Sequence, residues 1–439
     1  VSIPPNNWDA AWIFIKYRVV KASGGDGIWR HAKINTTGQV VPPGAAMNIT
    51  PEGSFLYRAT NGYGTFTAND IELQWNYGTH VESGTADYID DDDAIEVRVY
   101  GIEMVYVPGG FYFIGGGGGT NAFIQTPISS VNANVTGGYP SGISNTNANF
   151  PNGQRAFYCM KYEISQQQYV DFLNTLTYPQ QAARTVVNPN SPAGTGALSY
   201  NNAYRNGIDI KKPGKASTEP AEYACNGDGD ANFSEANDGQ WLACNFLSWG
   251  DLAAYFDWSG LRPMTELEYE KACRGSNPPV DGEFAWGTTA IQGATQIANA
   301  GQNNETFGNS GANACYNNLA NIQGPMRVGA FAANSKSRAQ SGSAYFGIME
   351  MSGNLWERTV TAGVNPVFNG LHGNGILNSA GNADVANWPA PTTAAGSGFR
   401  GGGWYYIEPT LWVSDRRSAA YVYAGRDRDN GGRGVRTAP

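Results

Sequence analysis

Glycine and proline interrupt this sequence at short intervals, and that feature limits the folds open to the chain. Its 439 residues include 57 Gly and 23 Pro, whereas only 15% are Asp, Glu, Lys or Arg. Long helical bundles and coiled coils have the opposite balance. Aromatic residues make up 12% of the chain, which is ample apolar surface for a folded core. The sequence therefore predicts a globular, loop-rich protein that contains β-sheet.

Charge, hydropathy and cysteine usage narrow the class of protein further. The net charge of −9 disfavours nucleic acid as a partner, because binding to phosphates needs a basic surface. No run of about 18 apolar residues occurs, so we expect no membrane span. The five cysteines are widely spaced and odd in number. Buried thiols are the favoured interpretation, and one or two disulfides stay open as the alternative.

The first part of the chain has the texture of an all-β unit. Alternating apolar and polar residues occur at 11–17, 71–75 and 94–100, separated by turns rich in Gly, Asn and Pro. This alternation is typical of half-buried antiparallel strands. We expect residues 1–103 to form a small immunoglobulin-like β-sandwich.

The second part, residues 104–439, is predicted to be α+β. Capping boxes that begin at Ser165, Ser248 and Thr265 predict short helices, since a Ser or Thr followed three residues later by an acidic or amide side chain satisfies free backbone groups. Two polar stretches, residues 120–155 and 177–240, are interpreted as long surface insertions.

Two acidic segments could be offered as cation sites. The acidic run at residues 90–93 is better interpreted as a solvated turn. Residues 228–232 imitate the first half of an EF-hand calcium loop. Phe233, however, stands where that loop needs glycine, and Gly239 stands where it needs a bidentate glutamate. Calcium binding is therefore the less favoured interpretation of this loop.

Six blocks, in this order along the chain, carry a resemblance to a known family. They are residues 104–110 (MVYVPGG), 162–165 (YEIS), 261–270 (LRPMTELEYE), 283–287 (EFAWG), 351–357 (MSGNLWE) and 400–404 (RGGGW). Together they resemble the formylglycine-generating-enzyme (sulfatase-modifying factor) family over residues 104–439. The resemblance implies an elaborated C-type-lectin-like fold, that is, a small twisted sheet with a few helices and much irregular structure.

The resemblance also implies where copper would bind in the enzymes of this family. Two cysteines follow the Arg-Gly-Gly-Ser motif there, and the corresponding positions here hold Tyr406 and Leu411. Neither side chain offers the thiolate that Cu(I) prefers. We therefore expect no copper, no catalytic residues and no enzymatic activity, including no oxidation of a cysteine-containing sulfatase peptide.

The C-terminal segment resembles a second branch of C-type-lectin-fold proteins, the variable proteins of diversity-generating retroelements. Such regions keep a scaffold around exchanged positions, and this chain has matching blocks at residues 411–416 (LWVSDR) and 434–436 (GVR). Tyr and Trp at the intervening positions, beside Ser, Gly and Asn, give the composition of antibody combining sites. The resemblance therefore implies a variable ligand-binding region at about residues 404–430.

The candidate ligand-binding residues are the intervening positions of that region. They are Tyr405, Tyr406, Glu408, Thr410, Trp412, Ser418, Tyr421, Tyr423, Gly425, Asp427 and Asp429. We expect Trp404, Leu411, Val413 and Val435 to point inward, because a variable surface needs a fixed core beneath it. The alternative is that these aromatics are ordinary half-buried residues.

The family resemblance also implies a structural calcium site, with Glu350, Gly353, Leu355 and Glu357 as its positions in this chain. Carboxylate and carbonyl oxygens are the ligands that Ca²⁺ prefers. The alternative is that Glu357 pairs with a nearby arginine.

The resulting functional prediction is a non-enzymatic ligand-binding protein for receptor recognition or adhesion. We expect it to be extracellular, on a virion or cell surface, with a protein or glycan on a host or neighbouring cell as its partner. A static surface protein of the same fold, and less so a formylglycine-generating oxidase, stay open as alternatives.

Overall fold

The computed structural model describes residues 7–20, 27–79, 89–143, 149–199, 202–318, 322–332, 337–365 and 367–439. The strands in these ranges are β1 Asp9–Val19, β2 Arg30–His31, β3 Ala45–Thr50, β4 Gly53–Arg58, β5 Ile95–Val107, β6 Tyr112–Ile114, β7 Thr126–Ile128, β8 Phe157–Met160, β9 Ile208–Lys212, β10 Glu222–Cys225, β11 Arg262–Pro263, β12 Ile297–Ala298, β13 Thr306–Phe307, β14 Trp356–Val360, β15 Ser397–Arg400, β16 Asn430–Gly431 and β17 Gly434–Thr437. The α-helices are α1 Gln166–Leu173, α2 Tyr178–Arg184, α3 Trp249–Trp258, α4 Glu266–Arg274 and α5 Arg338–Ser341.

One antiparallel sheet joins the beginning and the end of the chain. Its order is β11-β17-β8-β5-β1-β4-β3, and β2 pairs with β1. The long strand β5 pairs with β1 from Ile95 to Val105 and with β8 from Met104 to Val107. The fold class is therefore α+β, as predicted.

An immunoglobulin-like sandwich for residues 1–103 is not confirmed. The described strands β1, β3 and β4 extend the sheet that also contains β8 and β17, where we expected two sheets packed on each other. The division into residues 1–103 and 104–439 stays a prediction, and its boundary lies inside strand β5.

The sheet is buried on both faces where β5 meets β8. Met104 packs with Trp12 and Tyr158 on one face, beside helices α1 and α3. Val105 and Val107 pack on the other face with residues of helix α4. This follows from the period of two along a strand, which places neighbouring side chains on opposite faces. The predicted alternation at residues 94–100 is real, but it belongs to the wetter end of the same strand.

The three helices predicted from capping boxes are present, and each has its cap. Ser165, Ser248 and Thr265 accept hydrogen bonds from the backbone N–H three residues later. The longest of the described helices has ten residues, and none of them is long and apolar enough to cross a membrane. All five cysteines are buried free thiols, which excludes the disulfide alternative.

The interpretation of residues 120–155 and 177–240 as surface insertions is wrong. The first stretch contributes Phe123, Ile128 and Phe150 to a buried cluster. The second contains helix α2 and the hairpin of β9 and β10, whose Ile210 and Tyr223 are part of the main core. Both stretches are polar on average, but each contains a few apolar residues that pack into a core and so anchor the segment.

Candidate functional site

The candidate site is the segment between β15 and β16, which is irregular apart from one short 3₁₀ turn at Glu408–Leu411. Its entry is shaped by Gly401 and Gly402, which have φ angles of +84° and +68°. A Cβ on Gly402 would lie 2.6 Å from a side-chain carbon of Leu411. Gly401 and Gly402 of the RGGGW block are therefore required by the backbone and by close packing.

The inward-facing residues of this segment are confirmed. Trp404 is 1% exposed, and its indole N–H donates to the carbonyl of Arg428 at 3.0 Å. Leu411, Val413 and Val435 are fully buried. Trp404, Leu411, Val413 and Val435 are therefore held in place by packing.

Buried ion pairs hold the rest of the segment to the helices. Arg416 donates to both carboxylate oxygens of Glu266 in α4, at 2.7 and 2.8 Å. Arg426 makes the same two-pronged contact with Asp251 in α3, with both distances 2.8 Å. Such bidentate pairs fix orientation as well as position.

The candidate ligand-binding residues do not all reach the surface. Tyr405, Tyr406 and Tyr421 are 42%, 39% and 58% exposed. Glu408 and Asp427 are also exposed, whereas the remaining members are half-buried, namely Trp412, Ser418, Tyr423 and Gly425.

Two of the predicted surface residues are buried, and their assignment to the face is corrected. Thr410 donates its hydroxyl to the carbonyl of Ile407 at 2.8 Å and so closes the 3₁₀ turn. Asp429 lies under the segment, where burial and the neighbouring Asp427 raise its pKa to about 7.

The tyrosines belong to a continuous line of rings in mostly edge-to-face contact, which we call the aromatic row. In order it contains Trp404, Tyr405, Tyr406, Trp356, Phe399, Tyr421 and Tyr423, with successive centroids 5.1 to 6.1 Å apart. Trp356 and Phe399 are 5% and 4% exposed. Buried rings of the two strands β14 and β15 thus connect the Tyr405–Tyr406 pair with the Tyr421–Tyr423 pair.

Arg428 and Tyr204 extend this surface and were missed by the sequence analysis. The guanidinium carbon of Arg428 lies 3.8 Å from the ring centre of Tyr405 and 5.2 Å from that of Tyr204. Tyr204 comes from the stretch interpreted as an insertion, so no sequence signal linked it to the site. The link is tertiary.

The predicted calcium positions lie in a buried acidic cluster. Glu357 accepts from Arg433 Nε at 2.5 Å, so the arginine pair offered as the alternative is present. Glu350 accepts from the backbone N–H of Gly329 at 3.0 Å. The second carboxylate oxygen of each glutamate is buried without a hydrogen-bond partner.

A third carboxyl group, that of Glu163, joins this cluster and was not predicted. Its oxygens accept from the Leu355 N–H at 2.8 Å and from the Asn354 amide at 2.5 Å. Burial and the charge of Glu357 raise its pKa well above the usual value, and burial raises that of Glu350 to about 7. One arginine therefore faces three carboxyl groups.

The positions implied for copper-binding cysteines are separated by depth. Tyr406 is at the surface, and Leu411 is fully buried. The nearest chain cysteine in sequence is Cys315, whose thiol is buried and has its pKa raised to about 12 by that burial. The residues at the two positions therefore do not fit a Cu(I)–thiolate site.

Two curated proteins share sequence with part of this chain. One, named formylglycine-generating enzyme, from Mycobacterium tuberculosis, is 33% identical over 115 residues, which is 26% of this chain and 32% of the relative. The mouse protein of the same name is 31% identical over 113 residues, covering 26% of this chain and 25% of the relative. The aligned region thus spans a third of the relatives' length or less.

These relatives contradict the prediction that the chain is not an enzyme, since both carry the name of one. That prediction rested on two side chains of one short segment, whereas the likeness extends over more than a hundred residues. The family description "Sulfatase-modifying factor enzyme 1-like domain" matches residues 95–438, nearly four-fifths of the sequence. The chain therefore belongs to the sulfatase-modifying factor enzyme 1-like family.

Proposed function

We propose that residues 404–430 form a ligand-binding surface on an elaborated C-type-lectin-like domain, and that a diversity-generating retroelement exchanges its exposed residues. The aromatic row carries the proposal. Its exposed tyrosines rest on rings that are buried in the scaffold, at Trp404, Trp356 and Phe399. A surface of this kind can change its outer residues while its support stays the same.

The energetics of the segment suit exchange at the exposed positions. Substitutions at exposed sites usually change stability by less than about 0.5 kcal/mol, whereas the large effects come from buried packing and buried ion pairs. Those buried anchors are Trp404, Leu411 and the pairs made by Arg416 and Arg426. They lie outside the proposed exchangeable set.

Tyrosine suits a surface that must bind large ligands. It offers a broad rigid ring and a hydroxyl at low entropic cost, as in antibody combining sites. Ile407 and Val422, both more than half exposed, add apolar area beside the tyrosines. We propose a protein or glycan on a host or neighbouring cell as the partner, and an extracellular location on a virion or cell surface.

A tyrosine replacement tests the binding surface. Replacing Tyr405, Tyr406, Tyr421 and Tyr423 together by Ser should leave the melting temperature nearly unchanged, because their backbone contacts remain. Binding to any partner found on a glycan array or in a display library of surface proteins should be lost, since hot-spot aromatics commonly contribute about 2 kcal/mol or more each. The control replaces Tyr63 and Tyr139, which are exposed elsewhere. Equal binding by both variants would contradict the proposal.

The locus tests the diversification itself. A template repeat that differs from codons 405–430 only at adenines, beside a reverse-transcriptase gene, would support it. Codons for buried residues, including Leu411 and Val413, should be identical in template and gene. A locus without such a repeat would favour a static surface protein.

We also propose calcium near Glu350 and Glu357, with the carbonyls of Gly353 and Leu355. The support is the pair of buried carboxylate oxygens without partners and the excess of acidic over basic groups around Arg433. Removal of calcium should lower the melting temperature of the wild type by more than that of Glu350→Gln. An unchanged melting curve and no bound metal by elemental analysis would contradict it.

A second candidate function comes from the relatives' name. Formylglycine-generating activity would require this chain to oxidise a peptide cysteine without thiolates at residues 406 and 411. The test is incubation with copper, oxygen and a cysteine-containing sulfatase peptide, read by mass spectrometry. Formylglycine made by the wild type would support the activity. Product made only by the variant Tyr406→Cys with Leu411→Cys would assign its absence to those two positions.

A further inference from the structure

The loop after strand β10 brings three carboxylates together. One oxygen from each of Asp228, Asp230 and Glu235 lies within 4.8 Å of the other two. Calcium binds oxygens at 2.3–2.6 Å, so two ligands of one ion are at most about 5 Å apart. The three carboxylates therefore fit around a single ion. Convergence alone does not make a metal site, because exposed acidic groups often cluster without binding an ion.

A fourth carboxylate, from Asp238, is the independent observation. Its side chain is fully buried beneath the loop, and one oxygen accepts from the Glu235 N–H at 2.7 Å. The other oxygen is buried and has no hydrogen-bond partner. Burial raises the pKa of Asp238, and so does the adjacent carboxylate of Asp228. Asp238 therefore places a buried oxygen without a hydrogen-bond partner beside the carboxylate of Asp228, an unfavourable arrangement that a bound cation would relieve.

The lysines in and after strand β9, which precede the loop in sequence, are paired with other acids. Lys211 pairs with Glu222 at 2.7 Å, and Lys215 pairs with Glu219 at 2.5 Å. Among the described residues, no lysine or arginine forms an ion pair with the four carboxylates of the loop. Their negative charge is therefore not neutralised by the protein.

The positions of the turn and of the carboxylates in this loop are shifted relative to an EF-hand. This shift explains why Phe233 and Gly239 stand where an EF-hand has its glycine and glutamate. The left-handed turn that glycine would make at position six is made by the next residue, Ser234, with φ of +63°. Glu235 then supplies the third converging carboxylate, and Asp238 accepts a hydrogen bond from the Glu235 N–H. Ligand spacing is therefore shifted, while the oxygen donors are retained.

We propose that Asp228, Asp230, Glu235 and Asp238 form a calcium site in the loop between β10 and α3. All the donors are hard oxygens, which select Ca²⁺ over softer transition metals. A loop without regular structure suits the flexible coordination of Ca²⁺ better than the strict octahedron of Mg²⁺. The site is separate from the cluster around Glu357 and does not depend on the proposed ligand surface.

Calcium titration of the full chain, freed of metal with a chelator, tests the site. The wild type should bind one more calcium ion than the variant Asp228→Asn with Asp230→Asn, or bind it at least ten-fold more tightly, by calorimetry. The matched control is Glu72→Gln with Asp92→Asn, which removes the same charge from exposed positions and should titrate like the wild type. The variant Glu357→Gln should retain the loop ion.

Thermal unfolding keeps the test independent of folding defects. In chelator, the loop variant should melt at or above the wild-type temperature, since it loses like-charge repulsion. Added calcium should raise the melting temperature of the wild type and of the control by more than it raises that of the loop variant. If the loop variant does not fold, Glu235→Gln replaces it. Equal stoichiometry and affinity in wild type and loop variant, or a wild type that binds no calcium, would overturn the proposal.

Discussion

The carboxyl group of Asp429 shows how burial and neighbouring charges set the protonation state of a residue in the terminal segment. It is 4% exposed, and its pKa is raised to about 7 by burial and by Asp427. An aspartate in the unfolded chain titrates near about 3.9. The folded protein therefore favours the protonated form, and the stabilisation present at low pH is lost as the pH rises through about 7.

We expect Asp429→Asn to weaken the pH dependence of stability. The wild-type free energy of unfolding should fall between pH 5 and pH 8. The variant should lose part of that fall, at most about 3 kcal/mol, because about two pKa units separate pH 5 from the folded pKa of about 7 and each unit corresponds to about 1.4 kcal/mol. Urea unfolding at the two pH values measures it. Asp92→Asn, at an exposed site, is the control, and an identical fall in both variants would be the contrary result.

The neighbouring residues Trp404 and Tyr405 should contribute very differently to the free energy of unfolding. Trp404 is fully packed and hydrogen-bonded, so Trp404→Ala should reduce the free energy of unfolding by about 3–5 kcal/mol. Tyr405 contacts Arg428 across its exposed ring, and Tyr405→Ser should reduce it by about 1 kcal/mol or less. Denaturant unfolding of the two variants compares them. Similar losses would mean that Tyr405 belongs to the core.

At the scale of elements, local signals predicted what local interactions build. The boxes at Ser165, Ser248 and Thr265 placed α1, α3 and α4 because a cap is written in four consecutive residues. Residues 71–75 have the alternation of a strand, yet they make only isolated bridges at Glu72 and Trp75. A ladder needs a partner strand, which alternation does not provide.

The candidate site shows the same limit. The inward positions of the terminal segment were predictable from the scaffold pattern, and so were the exposed tyrosines. The burial of Thr410 and Asp429 was not, because both follow from a turn and from packing under strand β14. Arg428 and Tyr204 are brought together by a contact between distant segments, which spacing alone does not encode.

Asp251 connects two elements, and its replacement should exceed the loss of a simple cap. Its carboxylate accepts from the backbone N–H of Ser248 at 2.9 Å and holds Arg426 of the terminal segment. Asp251→Asn should lower the free energy of unfolding by about 2–3 kcal/mol, because it leaves the half-buried Arg426 poorly paired and removes the charged cap. Ser165→Ala, which removes only a cap, should lower it by about 1 kcal/mol. Equal effects would show that the ion pair contributes little.

At the scale of the whole molecule, the first 94 residues and the family domain share one sheet. Trp12 of strand β1 is fully buried, and its indole N–H donates to the Ser259 carbonyl at 2.7 Å. Arg436 lies over the same ring at 4.6 Å. Residues 95–439 alone would expose these contacts and the edge of β5.

Deletion of residues 1–94 should therefore yield an insoluble or unfolded chain, although the family match begins at residue 95. Circular dichroism and thermal unfolding of the truncated protein measure this, with the full chain as the reference. Adding residues 1–94 as a separate fragment should restore part of the fold. A truncated chain that melts cooperatively near the full-length temperature would instead support two independent domains.

Strand β5 also decides how the tyrosine-bearing surface is presented. Its 13 residues span roughly 40 Å at about 3.3 Å each, and no flexible hinge interrupts its pairing with β1 and β8. Whatever holds the first strands consequently sets the direction in which the surface points. For the ligand surface proposed above, many copies attached to one support through their first strands would therefore point in the same direction, which favours binding through several copies at once.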